Sequence, residues 1–344
     1  MTRFRICSVT LGMMCACGVE SPGPAPTAPT ATIEQQGVTL QGVTLQGVTL
    51  QGVTLQGMTL QGIMVSGATL ADDPLGHVRV ERGEVVAEQG GATLRGTALA
   101  GAQFQARVRD TSVNPPATAV IQYRVAAIQP ERAQYDPTET GHTFLYTLEQ
   151  WVDDSASWQP ACPADTDGRR VAIPLAALWD EHGDRSESSA MFTFGCTTGV
   201  IAKCYRWGYR PWVTGYGDLT AMHWACTRMA RGDYCGDGVP HTRDGTKIDM
   251  WDTLPSPGPI QRHASLVQSL GMLFEAGWDT GGAVCLSRAR WLLDDGGLLA
   301  SLCPDRLVPP GLLGATVCNT MADVLACHPD AKLFNESYLN LVGP

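Results

Sequence analysis

The sequence predicts an α+β fold, with a short N-terminal pentapeptide-like β-solenoid followed by a disulfide-rich, mainly antiparallel β domain with a few helices. Three observations carry this. A Val-Thr-Leu-Gln-Gly unit recurs from Val38 with a period of five. Alternating β-branched and aromatic runs dominate from Phe104 to Thr197. Nine cysteines then follow from Cys162 onward, with none between Cys17 and Cys162. The implied organisation is a signal segment at 1–16, a lipid-bearing, Pro-rich tether at 17–36, a repeat segment at 37–106 and a Cys-rich domain at 104–344.

The leader carries Arg3 and Arg5, an apolar run from Ile6 to Ala16, then Cys17-Gly18. This fits a secretory signal and is too short to span a bilayer as a helix. Met14-Cys15-Ala16-Cys17 resembles a bacterial lipobox, which makes Cys17 the expected site of lipid attachment; the plainer alternative is a cleaved signal with an incidental cysteine. No later stretch reaches the ~20 apolar residues of a transmembrane helix. The expected location is exported and lipid-anchored to the cell envelope, at the outer membrane or cell surface. Pro22, Pro24, Pro26 and Pro29 favour an extended tether; at ~3.1 Å per residue it would span roughly 50 Å.

The repeat gathers Leu40, Leu45, Leu50 and Leu55 at intervals that fall on opposite faces of a strand and miss one face of a helix. A chain that turns a corner every five residues places them all inward, the pattern of pentapeptide-repeat solenoids. The tract from Val38 to Asp72 makes fewer than two coils, too few to stand alone. After a hairpin expected around Glu81-Arg82-Gly83 the pattern returns as ATLRG, TALAG and AQFQA. The alternative is a low-complexity, β-prone linker of variable copy number.

FQARVR, TAVIQYRVAAI, TFLYTLEQWV, RVAIPL and MFTFGC are expected strands, separated by Pro, Asp and Gly clusters. Helices are expected over Asp218 to Met229, with Asp218 capping and Gly232 near its end, over Arg262 to Phe274, and after Asn319.

In an exported chain the cysteines imply a disulfide framework. The candidates are Cys196, Cys204, Cys226, Cys235, Cys285, Cys303, Cys318 and Cys327. Short loops suggest the pairs Cys196–Cys204, Cys226–Cys235, Cys285–Cys303 and Cys318–Cys327 with Cys162 left over, although spacing alone does not fix connectivity. Without a C-x-x-C, neither a zinc ribbon nor a thioredoxin-type site is indicated.

The densest chemistry lies between Gly195 and Asp252. Gly232-Asp233-Tyr234-Cys235, with Cys196, Cys204, Tyr209 to Trp212, Cys226 and His241 to Asp249 around it, resembles the ADYC domain, whose motif has Ala where Gly232 stands. The resemblance implies a bacterial, myxobacterial-type lipoprotein and points to no particular activity.

Within that block Asp237, His241 and Asp244 are the catalytic candidates, and Asp237, Asp244 and Asp249 the metal candidates, for which Ca²⁺ is the ion that clustered carboxylates on turns would prefer. The plainer reading is turn chemistry at Asp237-Gly238 and Asp244-Gly245. His223, three residues before Cys226 on the expected helix, raises a Cys/His nucleophile as an alternative to a bridged cysteine. Tyr205, Trp207 and Tyr209 would line one face of a strand and, with Trp212, Asp233 and Tyr234, form the candidate binding surface; a small aromatic core is the competing reading.

The chain carries 24 basic and 34 acidic residues, a net charge of −10, and becomes −12 once Arg3 and Arg5 leave with the signal segment. Such a surface argues against nucleic acid. No G-x-S-x-G, H-E-x-x-H, P-loop or dinucleotide fingerprint occurs, which lowers the expectation of catalysis without removing it. The sequence thus leads to a membrane-anchored cell-envelope lipoprotein with a binding or structural role, its partners the membrane through the lipid and an envelope protein or glycan. A metal-assisted or Cys/His hydrolase is the alternative.

Overall fold

The computed structural model describes residues 43–45, 54–55, 58–59, 63–110, 117–131, 143–165, 167–180, 182–242, 246–255, 258–261, 271–291, 293–294, 297–298 and 318–338. The signal segment, Cys17, the tether, Asp244 and Cys303 lie outside them, as do most of the perfect pentads.

Strands are numbered in chain order. A ten-stranded sheet follows the path β16 (Thr193–Cys196), β13 (Ala172–Leu175), β11 (Phe144–Val152), β10 (Ala117–Pro130), β9 (Gln103–Asp110), β3 (Met58–Thr59) and β2 (Thr54–Leu55). Off this path β12 (Ser157–Pro160) pairs with β11, β4 (Met64–Leu70) with β9, and β5 (Asp73–Pro74) with β4. A three-stranded sheet joins β6 (Gly76–Glu81), β7 (Glu84–Gln89) and β8 (Ala92–Arg95). A five-stranded sheet has the order β1 (Val43–Leu45), β17 (Thr246–Asp252), β22 (Leu333–Tyr338), β18 (Met272–Asp279) and β19 (Gly282–Leu286). Two small ribbons, β14 (Ala177–Trp179) with β15 (Arg185–Glu187) and β20 (Leu293–Asp294) with β21 (Gly297–Leu298), complete the strands. The helices are α1 (Val200–Arg206), α2 (Leu219–Arg231) and α3 (Met321–Cys327).

Among the described residues every strand pairing is antiparallel, and this overturns the solenoid. A solenoid stacks its coils in parallel, whereas the pentads that the structure describes become hairpins. Leu55 pairs with Met58 and Thr54 with Thr59, so the two-residue strands β2 and β3 flank a turn at Gln56-Gly57. IMVSG and ATLAD form β4 and its turn into β5, where Ala71 and Asp72 both have positive φ. The returning pentads ATLRG, TALAG and AQFQA become β8, a 3-10 turn at Gly96–Leu99 and the start of β9. The same turn chemistry closes β6–β7 at Arg82-Gly83 and β7–β8 at Gly90-Gly91, all four with positive φ, as two-residue hairpin loops require.

Layering follows from alternation. Residues 145, 147, 149 and 151 of β11 face one side and 146 and 148 the other. Tyr146 and Leu148 belong to a core with Phe104, Ala106, Ile121 and Tyr123, under Val85 and Ala87 of β7; the Tyr146 hydroxyl accepts from the Val85 N–H at 2.9 Å. On the opposite face, at the β13 end, Leu145, Ile173 and Leu175 pack on α1 and α2. Those helices are backed in turn by Ile248, Met250, Ala276, Trp278 and Leu333 of the five-stranded sheet. Its other face holds α3, which approaches closely because a Cβ on Gly277 would lie 2.5 Å from Val324.

The α2 helix forms as its ends dictate: Asp218 accepts from the Thr220 and Ala221 N–H groups, and Gly232 closes it at φ 64°. Helix α3 starts with a Thr320–Asp323 capping box. Residues 272–274, placed in a helix by the sequence reading, begin strand β18 instead. The disulfides also differ from the short-loop scheme. Cys162 pairs with Cys196, Cys204 with Cys226 and Cys285 with Cys318; Cys235 is bridged as well, and Cys327 stays a thiol. Pairing follows tertiary adjacency: Cys204–Cys226 joins α1 to α2 and Cys285–Cys318 ties β19 to the approach of α3.

Candidate functional site

The Gly-Asp-Tyr-Cys motif sits where α2 ends. Asp233 is fully buried, accepts from Arg228 Nη1 at 2.6 Å and takes the Gly238 N–H at 3.1 Å. Burial pushes its carboxyl up, against the pull of Arg228 and Arg231. Arg228 donates onward to the Thr280 and His182 carbonyls and to Asp184. Arg231 gives Nη2 to the Gly238 carbonyl, and burial brings its guanidinium down to about 10.

Tyr234 is the hub. Its ring lies between His241, at 6.0 Å and 28°, and Trp278, at 5.2 Å and 29°. Its hydroxyl donates to Glu275 at 2.9 Å and accepts from the Arg290 N–H at 3.1 Å. Glu275 and Arg290 form a fully buried pair at 2.6 Å. Burial pushes Glu275 up, but the Arg290 charge and hydrogen bonds outweigh it and hold the carboxyl below its ordinary value. Arg290 Nη2 also donates to the Met229 carbonyl at 2.8 Å, placing a cation on the carbonyl end of α2.

This arrangement is a clamp. It binds the end of α2 to the β18–β19 hairpin, and its polar atoms face one another. Of the catalytic and metal candidates, the structure describes Asp237, His241 and Asp249. Asp237 is exposed and caps its own turn by accepting from the Val239 N–H at 2.9 Å; His241 is buried against Tyr234; Asp249 is buried on β17. No group of three or more His, Cys, Asp or Glu side chains suited to a metal occurs among the described residues. The Cys/His nucleophile is overturned, because the Cys226 sulfur is bonded to Cys204 and no thiolate can form. His223 is fully buried, donates Nε2–H to the Ile201 carbonyl at 3.0 Å, and is pushed down to about 3 by burial.

The aromatic ladder is overturned too. Residues 200–206 form α1, and Tyr205, Trp207 and Tyr209 are buried in the central core. Tyr205 packs edge-on to His223 at 4.4 Å, Tyr209 donates to Asp252 at 2.9 Å, and Trp212 rests on Gly83 of the β6–β7 turn.

Among the described residues, the outer face of the large sheet beyond the helices is left uncovered. Strand register sets its rows: Gly67, Gln105 and Gln122 stand in line across β4, β9 and β10, and Thr69, Gln103, Arg124 and Glu149 in the next line. Trp158 on β12 stands beside them, opposite Trp151 with ring centroids 5.5 Å apart. The Arg124 guanidinium covers Trp158 at 4.9 Å from the ring centroid and is ion-paired to Glu149. Gly67, Thr69, Gln103, Gln105, Gln122 and Trp158 line a groove of about 280 Å³. A bulge between Val65 and Gly67, with the Ser66 hydroxyl on the Gln105 carbonyl, shapes one wall, and Gly67 keeps it open. Sequence reasoning missed Gln105 and Gln122; alternation with Phe104 and Tyr123 is the signal that places them on the opposite face, whereas the escape of that part of the face from the helices depends on tertiary packing.

Fold and site together define a disulfide-stapled antiparallel β domain with a buried polar clamp and an open sheet face. The profile of the ADYC domain matches residues 96–292, more than half of the chain, and the protein belongs to that family. The matched span contains every residue of the clamp, whereas β22, central in the five-stranded sheet, follows it. Comparison with curated proteins and with solved structures gave no match.

Proposed function

We propose that the protein is a bacterial cell-envelope lipoprotein, anchored at Cys17 and raised on its Pro-rich segment, that binds a neutral glycan along the open face of its large sheet. The line of Gln105 and Gln122 amides beside Trp158 carries the reading. Each amide offers a donor and an acceptor, the pairing that neighbouring sugar hydroxyls need, and an indole supplies the apolar surface on which a sugar ring rests. Arg124 is neutralised by Glu149, so the groove presents little net charge. At about 280 Å³ it lies at the small end of ligand sites, which suits a short stretch of chain. The lipobox-like leader supports the anchor.

The test uses the full-length protein on an array of neutral oligosaccharides, followed by titration of intrinsic tryptophan fluorescence. Trp158→Ala and the double change Gln105→Ala/Gln122→Ala are each expected to weaken binding at least about tenfold, or ~1.4 kcal/mol, with circular dichroism unchanged. An array without hits, or full binding by the Trp158 variant, sinks the reading.

A further inference from the structure

The outer face of the large sheet carries two arginines in opposite circumstances. Arg124 is ion-paired to Glu149 and lies over Trp158. Arg107, on β9, is exposed and has no ion-pair partner among the described residues. Register sets it directly opposite Met64 of β4 on one side and Val120 of β10 on the other, so the three side chains stand in one line, with neighbouring Cβ atoms about 5 Å apart. Met64 and Val120 are 41% and 57% exposed, so two of the four exposed large apolar side chains among the described residues flank this one cation. Their neighbours Val65 and Ile121 turn the other way, into the core beneath the sheet. The line follows that of Gly67, Gln105 and Gln122 on the same face, about 7 Å further along β9.

A chain with 34 acidic and 24 basic residues has carboxylates to spare. Arg79, Arg95, Arg124 and Arg185, on other strand surfaces, each have one beside them, whereas Arg107 stands between two apolar side chains instead. Such a line suits a guest that brings a carboxylate for the guanidinium and nonpolar carbon for its flanks. A uronic acid unit has that composition: its carboxylate meets the planar guanidinium through two parallel N–H···O bonds, and its ring presents C–H surface to Met64 and Val120. The adjoining amides of Gln105 and Gln122 favour a sugar over an acidic peptide, because they match hydroxyls and are continuous with the line. We propose that Met64, Arg107 and Val120 form a subsite for an acidic sugar unit, next along the glycan from the neutral segment held in the groove. The proposal rests on the glycan reading of that groove and adds the class of the neighbouring unit. The net negative charge of the protein opposes a distant anion, so the preference acts at short range, depends on Arg107 and fades with salt.

The test pairs each member of a panel of neutral oligosaccharides with its counterpart in which one terminal hexose is oxidised at C6 to a uronic acid. Both series are titrated into the full-length protein by calorimetry at low ionic strength. The carboxylated series is expected to bind about fivefold more tightly, the size of a well-placed exposed ion pair, and high salt is expected to shrink the difference. Arg107→Gln should bring the two series to the same affinity, and Arg107→Glu should reverse their order. Equal affinities in the wild-type protein, or a preference that survives Arg107→Gln, overturn the proposal and leave the groove standing. Binding by neither series sinks the groove reading and the subsite with it. A short polyglutamate peptide that binds as tightly as the carboxylated sugars, with the same dependence on Arg107, assigns the line to acidic peptides and overturns the proposal as well.

Discussion

The Tyr234 hydroxyl donates to Glu275 at 2.9 Å, and this bond joins the turn of chain after α2 to β18 of the five-stranded sheet. Around it, a tyrosine, a carboxylate and a guanidinium satisfy one another in a setting without water-exposed atoms. Tyr234→Phe keeps the ring between His241 and Trp278 but removes both hydroxyl bonds, the one to the Glu275 carboxylate and the one from the Arg290 N–H. The expected loss is about 1–3 kcal/mol. Glu275→Ala strands the Arg290 charge in the core and is expected to cost more, about 3–5 kcal/mol. Urea unfolding of both variants checks the order; equal effects would mean that the clamp is not held together by its charges.

His223 predicts an acid limb in stability. Burial, with the nearby Arg185 charge, brings its imidazole down to about 3, against the bond to the Ile201 carbonyl, while in the unfolded chain it titrates near 6.5. Between these values the unfolded state binds the extra proton, so stability rises with pH across the window and is lost as pH falls from about 6.5 to 3, on the order of 5 kcal/mol in all. His223→Gln is expected to flatten the slope of unfolding free energy against pH in that window. An unchanged slope would assign the acid sensitivity to other groups.

Gly232 and Gly90 form a matched pair of substitutions. Both have positive φ, 64° and 57°. A Cβ at Gly90 meets nothing within 4 Å, whereas one at Gly232 would stand 3.0 Å from the His241 carbonyl oxygen. Gly90→Ala should cost about 1 kcal/mol from backbone strain alone. Gly232→Ala, which restores the Ala of the family motif, should cost more; thermal unfolding of the two variants separates strain from crowding.

Cys204→Ser/Cys226→Ser removes the link between α1 and α2, which closes a 22-residue separation. A loss of about 2–4 kcal/mol is expected. Glycan titration of the same variant should give an unaltered affinity, because the groove is built by β4, β9, β10 and β12, on strands that neither helix holds.

The sequence exposed those parts of the fold that rest on local physics. Alternation in FQARVR and TAVIQYRVAAI marked β9 and β10, Asp218 and Gly232 bracketed α2, and Arg82-Gly83 marked a hairpin. Contacts between distant segments were hidden. The spacing Tyr205, Trp207, Tyr209 suits a strand, but residues 200–206 turn into a helix whose side chains fill the space between two sheets. The five-residue period suited a solenoid as well as a short strand plus a Gln-Gly turn, and only the observed pairing of Leu55 with Met58 separates them. Likewise short loops favoured Cys196–Cys204, whereas the sheet brings Cys196 beside Cys162 across 34 residues. Of the candidate site, Asp233 and Tyr234 were found but with the wrong expectation, since both point inward; the groove rests on Gln105, Gln122 and Trp158, which no motif contains.

The inward aim of Asp233 and Tyr234 bears on what kinship through this motif conveys. A signature made of side chains that grip one another records how the body of the protein is fastened, and it leaves the outer sheet surface free to change. Relatives sharing the fastening are therefore expected to differ at the positions of Gln105, Gln122 and Trp158, and to recognise different things with the same frame.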